Sequence, residues 1–488
     1  MNRLDDASRA QVRAADPARS SWVMANAGSG KTRVLTDRVA RLLLAGTPPE
    51  RILCLTYTRT AAAEMQARLF ERLGRWALMA DDALCTELQR LQEDPLEATP
   101  EFLARARRLF AQALETPGGL KIQTIHAFCD AILRRFPLEA GVSPDFRVID
   151  ERSLAALLAD LREAMARRAE AGTDPAFDLM AMRMPDTTLD GLIRAIQSGR
   201  DLFPPGVTEA ALAKLFGVAP GESLESLLAR LLGNVGPGFL ERLVEVLLGG
   251  STNDVKAGER LQAALQLGET GALLQTLEGL LLTGSGPNAG TSRAGKFPTK
   301  ATREVLGEDV ELLDAMADRA EALRPKRLGL LGLQDAVALH GFARGFLDLQ
   351  ARLKADRGAL DFDDLIAGVE ALLRSGAAGW VLYRLDGGID HILVDEAQDT
   401  SPAQWRIIEA LSEEFFSGEG ARPAGRTLFA VGDLKQSIYS FQGADPAVFA
   451  EMKQRVARRL EGLGSELHEA ALEHSFRSAP AVLRVVDG

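Results

Sequence analysis

The sequence predicts an α/β fold in which a parallel sheet surrounds a phosphate-binding loop and is interrupted by a long helical insertion. Three observations carry this. A short apolar run, a loop of small residues and a helix follow one another in SWVMANAGSGKTRVL, residues 21–35. Strand and helix patterns then alternate at βαβ spacing as far as about residue 150, which implies parallel pairing. Apolar strands return near residue 391, after a block of helix-periodic sequence over 151–350.

Taken in order, residues 4–14 read as a polar helix and the run from Ser21 as a buried strand. In the loop that follows, Gly28 and Gly30 let the backbone wrap an anion, because glycine takes positive φ without penalty. Its N–H groups and the N-terminus of the next helix would face a phosphate chain. The stretch Ala25-Asn26-Ala27-Gly28-Ser29-Gly30-Lys31-Thr32 departs from G-x-x-x-x-G-K-[ST] at its first position, where Ala25 stands for Gly. Lys31 would reach the β- and γ-phosphates and the Thr32 hydroxyl would hold Mg²⁺. The helix ends near Ala45-Gly46, stopped by Pro48-Pro49. Residues 51–57 form a second strand. A helix from Ala61 follows, with Met65, Leu69 and Leu73 on one stripe. A charged helical insertion over about 76–116 precedes a third strand at 121–125 and a helix over 126–135, and Phe146 to Ile149 reads as one more short strand.

Within 151–350, Leu154, Leu157, Leu158, Leu161 and Met165 set a helical period that continues to Leu349. Thr283 to Lys300 (TGSGPNAGTSRAGKFPTK) reads as a mobile loop. Its Arg293, Lys296 and Lys300 are either solvated or lie on a nucleic-acid backbone. Strands resume at 391–394, 427–431 and 467–472.

The chain of 488 residues is long enough for two or three cores. Its net charge of -11 argues against nonspecific coating of DNA, although a local basic channel fits within an acidic total. Cys54, Cys85 and Cys129 are too few and too scattered for a disulfide framework or a metal site, so a reducing, cytoplasmic setting is expected. No apolar run approaches the ~18 residues of a membrane span, and the N-terminal stretch lacks the apolar core of a signal peptide.

A nucleotide hydrolase also needs a carboxylate for the metal and a base for the attacking water. His391-Ile392-Leu393-Val394-Asp395-Glu396 ends an apolar strand with both. Asp395 would take the metal and Glu396, pointing elsewhere, would polarise water. After the next strand, Gly432 to Ala444 (GDLKQSIYSFQGA) places Gln436 where it can sense a γ-phosphate. Tyr439 and Phe441 alternate there as base-stacking rings would, at ~1–3 kcal/mol each; the other reading buries both in the core.

At these residues the chain resembles superfamily 1 helicases of the UvrD/Rep type. The resemblance implies a RecA-like ATPase domain, with ATP and Mg²⁺ as cofactors. It assigns adenine reading to Gln11 and phosphate binding to residues 25–32, with Arg33 following. Thr56 to Met65 is similar to motif Ia, with Tyr57, Thr58 and Arg59 on single-stranded DNA, and Gln123 to Phe128 is similar to the next DNA-contacting motif, with Thr124 and His126. Leu360 to Leu365 (LDFDDL) matches the signature where the chain re-enters the sheet domain. Asp395 to Asp399 is similar to motif II, Gly432 to Ala444 to motif III, and Leu472 to Ser478 to motif IV. In the last, Phe476 would stack on adenine and Arg477 would approach the γ-phosphate. Gln442 and Thr60 depart from the commoner Arg and Lys.

A narrower likeness, carried by residues 124–151, the ANAGSGKT loop and the helical insert, is to the AddA-type helicase–nuclease subunits of double-strand-break repair. It implies 3′→5′ translocation on DNA, both single-stranded and duplex, and an AddB-like partner subunit. The expected division is 1–150 and 351–470 as two parts of the ATPase domain, 151–350 as the inserted helical domain, and 471–488 as the start of a second RecA-like domain. With motifs beyond the fourth absent, the sequence reads as an N-terminal portion that hydrolyses ATP poorly alone and does not unwind processively. Two other classes stay open: a nucleotide-binding DNA module without motor activity, and a P-loop ATPase unrelated to DNA.

Overall fold

The computed structural model describes residues 6–26, 28–172, 176–178, 180, 186–375, 378–384, 388–416, 425–433, 435, 446–474 and 476. It separates into two compact units, Met1–Ala156 with Leu353–Gly488, and Leu157–Arg352.

The first unit is organised by a six-stranded sheet. Its strands are β1 (Ser21–Ala25), β2 (Ile52–Thr56), β3 (Lys121–Thr124), β6 (His391–Val394), β7 (Thr427–Gly432) and β8 (His468–Leu472), in the spatial order β3-β2-β6-β7-β1-β8. Every pairing is parallel; Met24 lies opposite Gly432, Ala25 opposite Leu472, and Leu55 opposite Val394. Two further short strands, β4 (Arg147–Val148) and β5 (Ala359–Leu360), pair with each other and stay outside this sheet. The strand expected at Phe146 to Ile149 therefore does not extend the main sheet. It joins the two chain segments that flank the inserted helices.

The central strands are buried on both faces, so their apolar runs are continuous rather than alternating. The pleat still sorts them. Val23, Ala25, Cys54, Leu393, Phe429 and Val431 face one core, shared with α1 (Asp6–Ala14), α2 (Lys31–Leu44), α3 (Arg59–Leu78), α4 (Asp81–Gln89) and α5 (Pro100–Glu115). Trp22, Leu53, Leu55, Ile392, Val394, Leu428 and Ala430 face the other, against α6 (Ile125–Arg135) and the helices Phe362–Arg374, Pro402–Ser412 and Pro446–Glu461. Trp22 stacks on Trp405 at 5.7 Å between centroids.

One buried charge fastens α2 to the sheet. Arg38 is 0% exposed; its guanidinium donates to the carbonyls of Asp16 and Arg19 and to Thr427 Oγ1, and lies 4.9 Å over the Phe429 ring. Burial pulls its pKa down to about 9. Thr427 also meets His391 Nδ1 at 2.8 Å, and burial lowers that imidazole to about 4.

The second unit is helical, with a core of Leu, Phe and Ala drawn from residues 227–330. The stretch Thr283 to Lys300 differs from the mobile loop expected of it. Leu282 bridges to Ser292, the Ser292 N–H donates to Glu321, and the Gly295 N–H donates to Asp314 Oδ1 at 2.9 Å. Its far end is held by Asp254, 2% exposed, which accepts from Ser251, Thr299 and Thr302. A Gly- and Ser-rich composition signals turns, but these partners come from distant helices and leave no local pattern. Arg293 is likewise engaged, donating to the Leu280 carbonyl at 2.9 Å, while Lys296 and Lys300 are exposed. Among the described residues no helix is long and apolar enough to cross a membrane.

Candidate nucleotide and nucleic-acid site

The loop after β1 closes on itself and on the strand beside it. The Ser29 N–H donates to the Asn26 carbonyl at 3.1 Å, and the Asn26 N–H to the Leu472 carbonyl at 3.2 Å. Gly28 and Gly30 have φ of 75° and 91°, in the region that favours glycine. Ala25 is the last residue of β1, in extended backbone where a Cβ costs nothing, which accounts for alanine at the first motif position. Ala27 lies outside the described residues. The loop leads into α2 at Lys31 with no side-chain cap among the described residues, which leaves its first N–H groups open to an anion.

Gln11, from α1, donates through Nε2 to the Ser29 carbonyl at 2.8 Å and is 2% exposed. Its Oε1 is buried without a protein partner among the described residues, an acceptor left for a ligand's N–H. Gly30 lies directly beneath it: an added Cβ would stand 2.6 Å from Gln11 Nε2. Gly30→Ala is therefore expected to weaken nucleotide binding by about tenfold and stability by about 1 kcal/mol, from the positive φ and the displaced amide together. Titration with a fluorescent nucleotide and a thermal melt check both; unchanged affinity would sink the reading.

The acidic pair reaches this loop across β7. Lys31 Nζ lies 2.6 Å from Glu396 Oε2, with Lys31 12% exposed. Glu396 has φ 48° and ψ 46°, left-handed backbone that a side chain rarely adopts. Its N–H donates to Asp395 Oδ1 at 3.0 Å. The expectation that Glu396 points elsewhere than Asp395 thus meets a more specific result: its carboxylate engages Lys31. Burial, with the Glu396 charge second, pushes Asp395 up to about 7, against the pull of Lys31 and the Glu396 N–H. A cation there would have to displace a proton near neutrality. Among the described residues no three His, Cys, Asp or Glu side chains converge to hold a metal alone. Asp395 and Thr32 would need phosphate and water oxygens to complete a shell, as suits Mg²⁺.

Gln398 stands between the acids of its motif with no role expected of it, and the structure gives it one. It is 1% exposed and donates to Glu396 Oε2 at 2.9 Å and to Asp399 Oδ2 at 3.0 Å.

On the adjoining edge the Phe476 N–H donates to the Gly28 carbonyl at 2.9 Å, which puts an exposed ring beside the loop, with His474 edge-on to it at 5.2 Å. Arg33 is exposed on the first turn of α2. Gln436, Tyr439, Phe441, Gln442 and Arg477 lie outside the described residues.

Of the residues expected on DNA, Tyr57, Thr58, Arg59, Thr124 and His126 gather at the C-terminal ends of β2 and β3. Thr58 and Thr124 spend their hydroxyls on helix N-caps, accepting from the N–H groups of Ala61 at 3.0 Å and Ala127 at 3.2 Å. Arg59 is exposed on the first turn of α3. Tyr57, Asp395 and Gln404 line one small cavity of about 20 Å³. His126 meets Phe362 edge-on at 5.2 Å; burial first, then Arg59, lowers its pKa, so it offers a neutral ring. Phe362, 40% exposed, adds an aromatic ring to this surface that sequence reasoning gave no role. It opens a helix capped by Asp361 and Asp364, whose carboxylates share the buried Lys354.

The family model describing the UvrD/REP helicase N-terminal domain matches residues 4–457. Similar curated proteins include an ATP-dependent helicase/nuclease subunit (AddA) of Exiguobacterium sibiricum, 30% identical over 96% of this chain and 38% of the relative. The protein of the same description from Desulforudis audaxviator is 30% identical over 95% of this chain and 38% of its own, and that from Enterococcus faecalis 29% over 94% and 36%. The chain thus spans well under half the length of the curated relatives it matches.

Proposed function

This chain belongs to the UvrD/REP helicase N-terminal domain family, and from that premise we propose that it is the ATP-binding motor part of an AddA-like, ATP-dependent 3′→5′ DNA helicase of double-strand-break repair. The observation that carries the reading is the meeting of the loop after β1 with the acid pair after β6, Lys31 and Glu396 at 2.6 Å. Loop N–H groups and Lys31 bind the phosphates. The orphaned Gln11 Oε1 accepts from the adenine amino group, and Phe476 covers the base. Thr32 and Asp395 would hold Mg²⁺, whose charge would offset that of the phosphates. Glu396, once Lys31 has moved to the phosphates, orients the attacking water; Gln436 and Arg477 are the residues that the resemblance assigns to the γ-phosphate.

Single-stranded DNA lies across the ends of β2 and β3, where Arg59 meets the backbone and the rings of Tyr57 and Phe362 meet bases; Tyr439 and Phe441 are further base-stacking rings by the resemblance alone. An AddB-like protein is the partner proposed for the whole molecule. The test is ATP hydrolysis by the natural gene product that carries these residues, with and without single-stranded DNA at several salt concentrations. Stimulation that weakens as salt rises is expected. Hydrolysis indifferent to DNA would defeat the assignment and favour an ATPase of another class.

A further inference from the structure

The LDFDDL stretch, residues 360–365, holds acids that neither the nucleotide site nor the DNA surface proposed above uses. Asp361 is the N-cap of the helix Phe362–Arg374 and Asp364 is its third residue, and the two close a reciprocal box. The Asp364 N–H donates to Asp361 Oδ1 and the Asp361 N–H to Asp364 Oδ2, both at 2.9 Å. Such a box needs oxygen atoms and not charge. The helix Leu224–Leu232 closes the same one with Ser223 and Ser226, and the helix Pro402–Ser412 with Ser401 and Gln404. Two carboxylates at one helix start repel each other. Their counterion is Lys354, itself buried, in the last turn of the helix Asp309–Asp356. Its Nζ donates to Asp361 Oδ2 and, at 2.8 Å, to Asp364 Oδ2.

Between the two acids sits Phe362, the first residue of the helix, its backbone bracketed by the box and its ring edge-on to His126 at 5.2 Å. We propose that Lys354 is a positioning residue for nucleic-acid binding, which by neutralising the Asp361–Asp364 box presents the Phe362 ring to an unpaired base, a role that rests on the function proposed above. A ring already held in place loses less freedom when a base stacks on it. Burial first, then Asp364, pushes the Asp361 carboxyl up, and Lys354 pulls it back. Without the ammonium the box must either take up a proton or open, and opening it turns the residue between its halves. The same ammonium weakens the negative field that a phosphate backbone would meet beside the ring.

The test is the affinity of the natural gene product that carries these residues for a single-stranded oligonucleotide, measured without nucleotide. Lys354→Met is expected to weaken it by about tenfold, the order of one lost stacking contact, and Phe362→Ala by as much. Combining the two is expected to cost no more than either alone, because both remove the same contact. Affinity for a non-hydrolysable ATP analogue is expected to stay level. The loss in Lys354→Met, relative to the unmodified protein, is expected to shrink as pH falls. Freed of the ammonium, the Asp361 carboxyl takes a proton nearer neutrality and closes the box by sharing it with Asp364. In Lys354→Met with Asp364→Asn, the new amide donates to Asp361 in place of the ammonium, and affinity is expected to return to within about twofold.

A merely structural lysine would lower affinity for the ATP analogue and for DNA together, and its effect would multiply with that of Phe362→Ala; either result overturns the proposal. So does wild-type DNA affinity in folded Lys354→Met. Where that variant does not fold, Lys354→Met with Asp364→Asn carries the test, and DNA affinity as low as that of Phe362→Ala in the folded double variant overturns it. Unchanged DNA affinity in Phe362→Ala would instead remove Phe362 from the functional reading, and the positioning role with it.

Discussion

Replacing Lys31 with alanine is expected to remove most nucleoside triphosphate binding at ordinary concentrations, a loss of about 100-fold in affinity. The magnitude follows from the setting. Lys31 is 12% exposed, so its ammonium acts where screening by water is weak. A charge-assisted hydrogen bond there is worth ~1.5–3 kcal/mol, and about 3 kcal/mol corresponds to roughly 100-fold in affinity. A second effect adds to it. Lys31 is one of the groups holding the raised Asp395 pKa down, and without it the carboxyl rises further above about 7 and gives up its proton to a cation less readily. Stability should change little, because Glu396 is 32% exposed and keeps its bond from Gln398. Binding of a fluorescent ATP analogue, beside a thermal melt of the same variant, checks both halves. Wild-type affinity in a folded Lys31→Ala protein would refute the role given to the lysine.

Glu396→Gln is expected to do the opposite to binding and to abolish turnover. Loss of a general base costs about 10²–10⁴ in rate, and the neighbouring Asp395 cannot replace it while it is committed to the metal. Binding should tighten, because the nucleotide no longer competes with Glu396 for Lys31. The pH dependence of metal–nucleotide binding should shift as well. The Glu396 charge is the second cause, after burial, of the elevated Asp395 pKa. With that charge gone the pKa falls, so the loss of affinity on acidification begins at lower pH. Single-turnover hydrolysis, with equilibrium binding at several pH values, measures all three. Hydrolysis at the wild-type rate in this variant would remove Glu396 from the mechanism.

The parts of this site that the sequence made legible are those written in local pattern. Small residues between an apolar run and a helical stripe located the phosphate loop, and an apolar run ending in two acids located Asp395 and Glu396. Periodicity marked the split of the sheet domain by helices. Side-chain partnership was not legible, because it is decided by residues far apart in the chain. Thr58 and Thr124 carry hydroxyls suited to a phosphate, and nothing local says that helix capping claims them. The loop at Thr283 to Lys300 has a flexible composition, and Asp254, Asp314 and Glu321, which fasten it, lie on other helices. Gln398 shares its motif with two acids that take the attention, and its bonds to Glu396 and Asp399 appear once the chain is folded. Arg38 stands among apolar residues of α2, and the carbonyls that bury it belong to the turn before β1.

The strand order β3-β2-β6-β7-β1-β8 has a consequence for how the protein is made. β1, which carries the phosphate loop, has β7 and β8 as its neighbours, and both are translated after the helical unit. On the ribosome the strand emerges long before them and has no edge to pair with until residues 427–472 follow. At synthesis rates of ~5–20 residues per second, that interval is roughly 20 to 90 seconds. Through that time SWVMA is an unpaired apolar strand in a crowded cell. The sheet around β1 is thus among the last features of the domain to come into being.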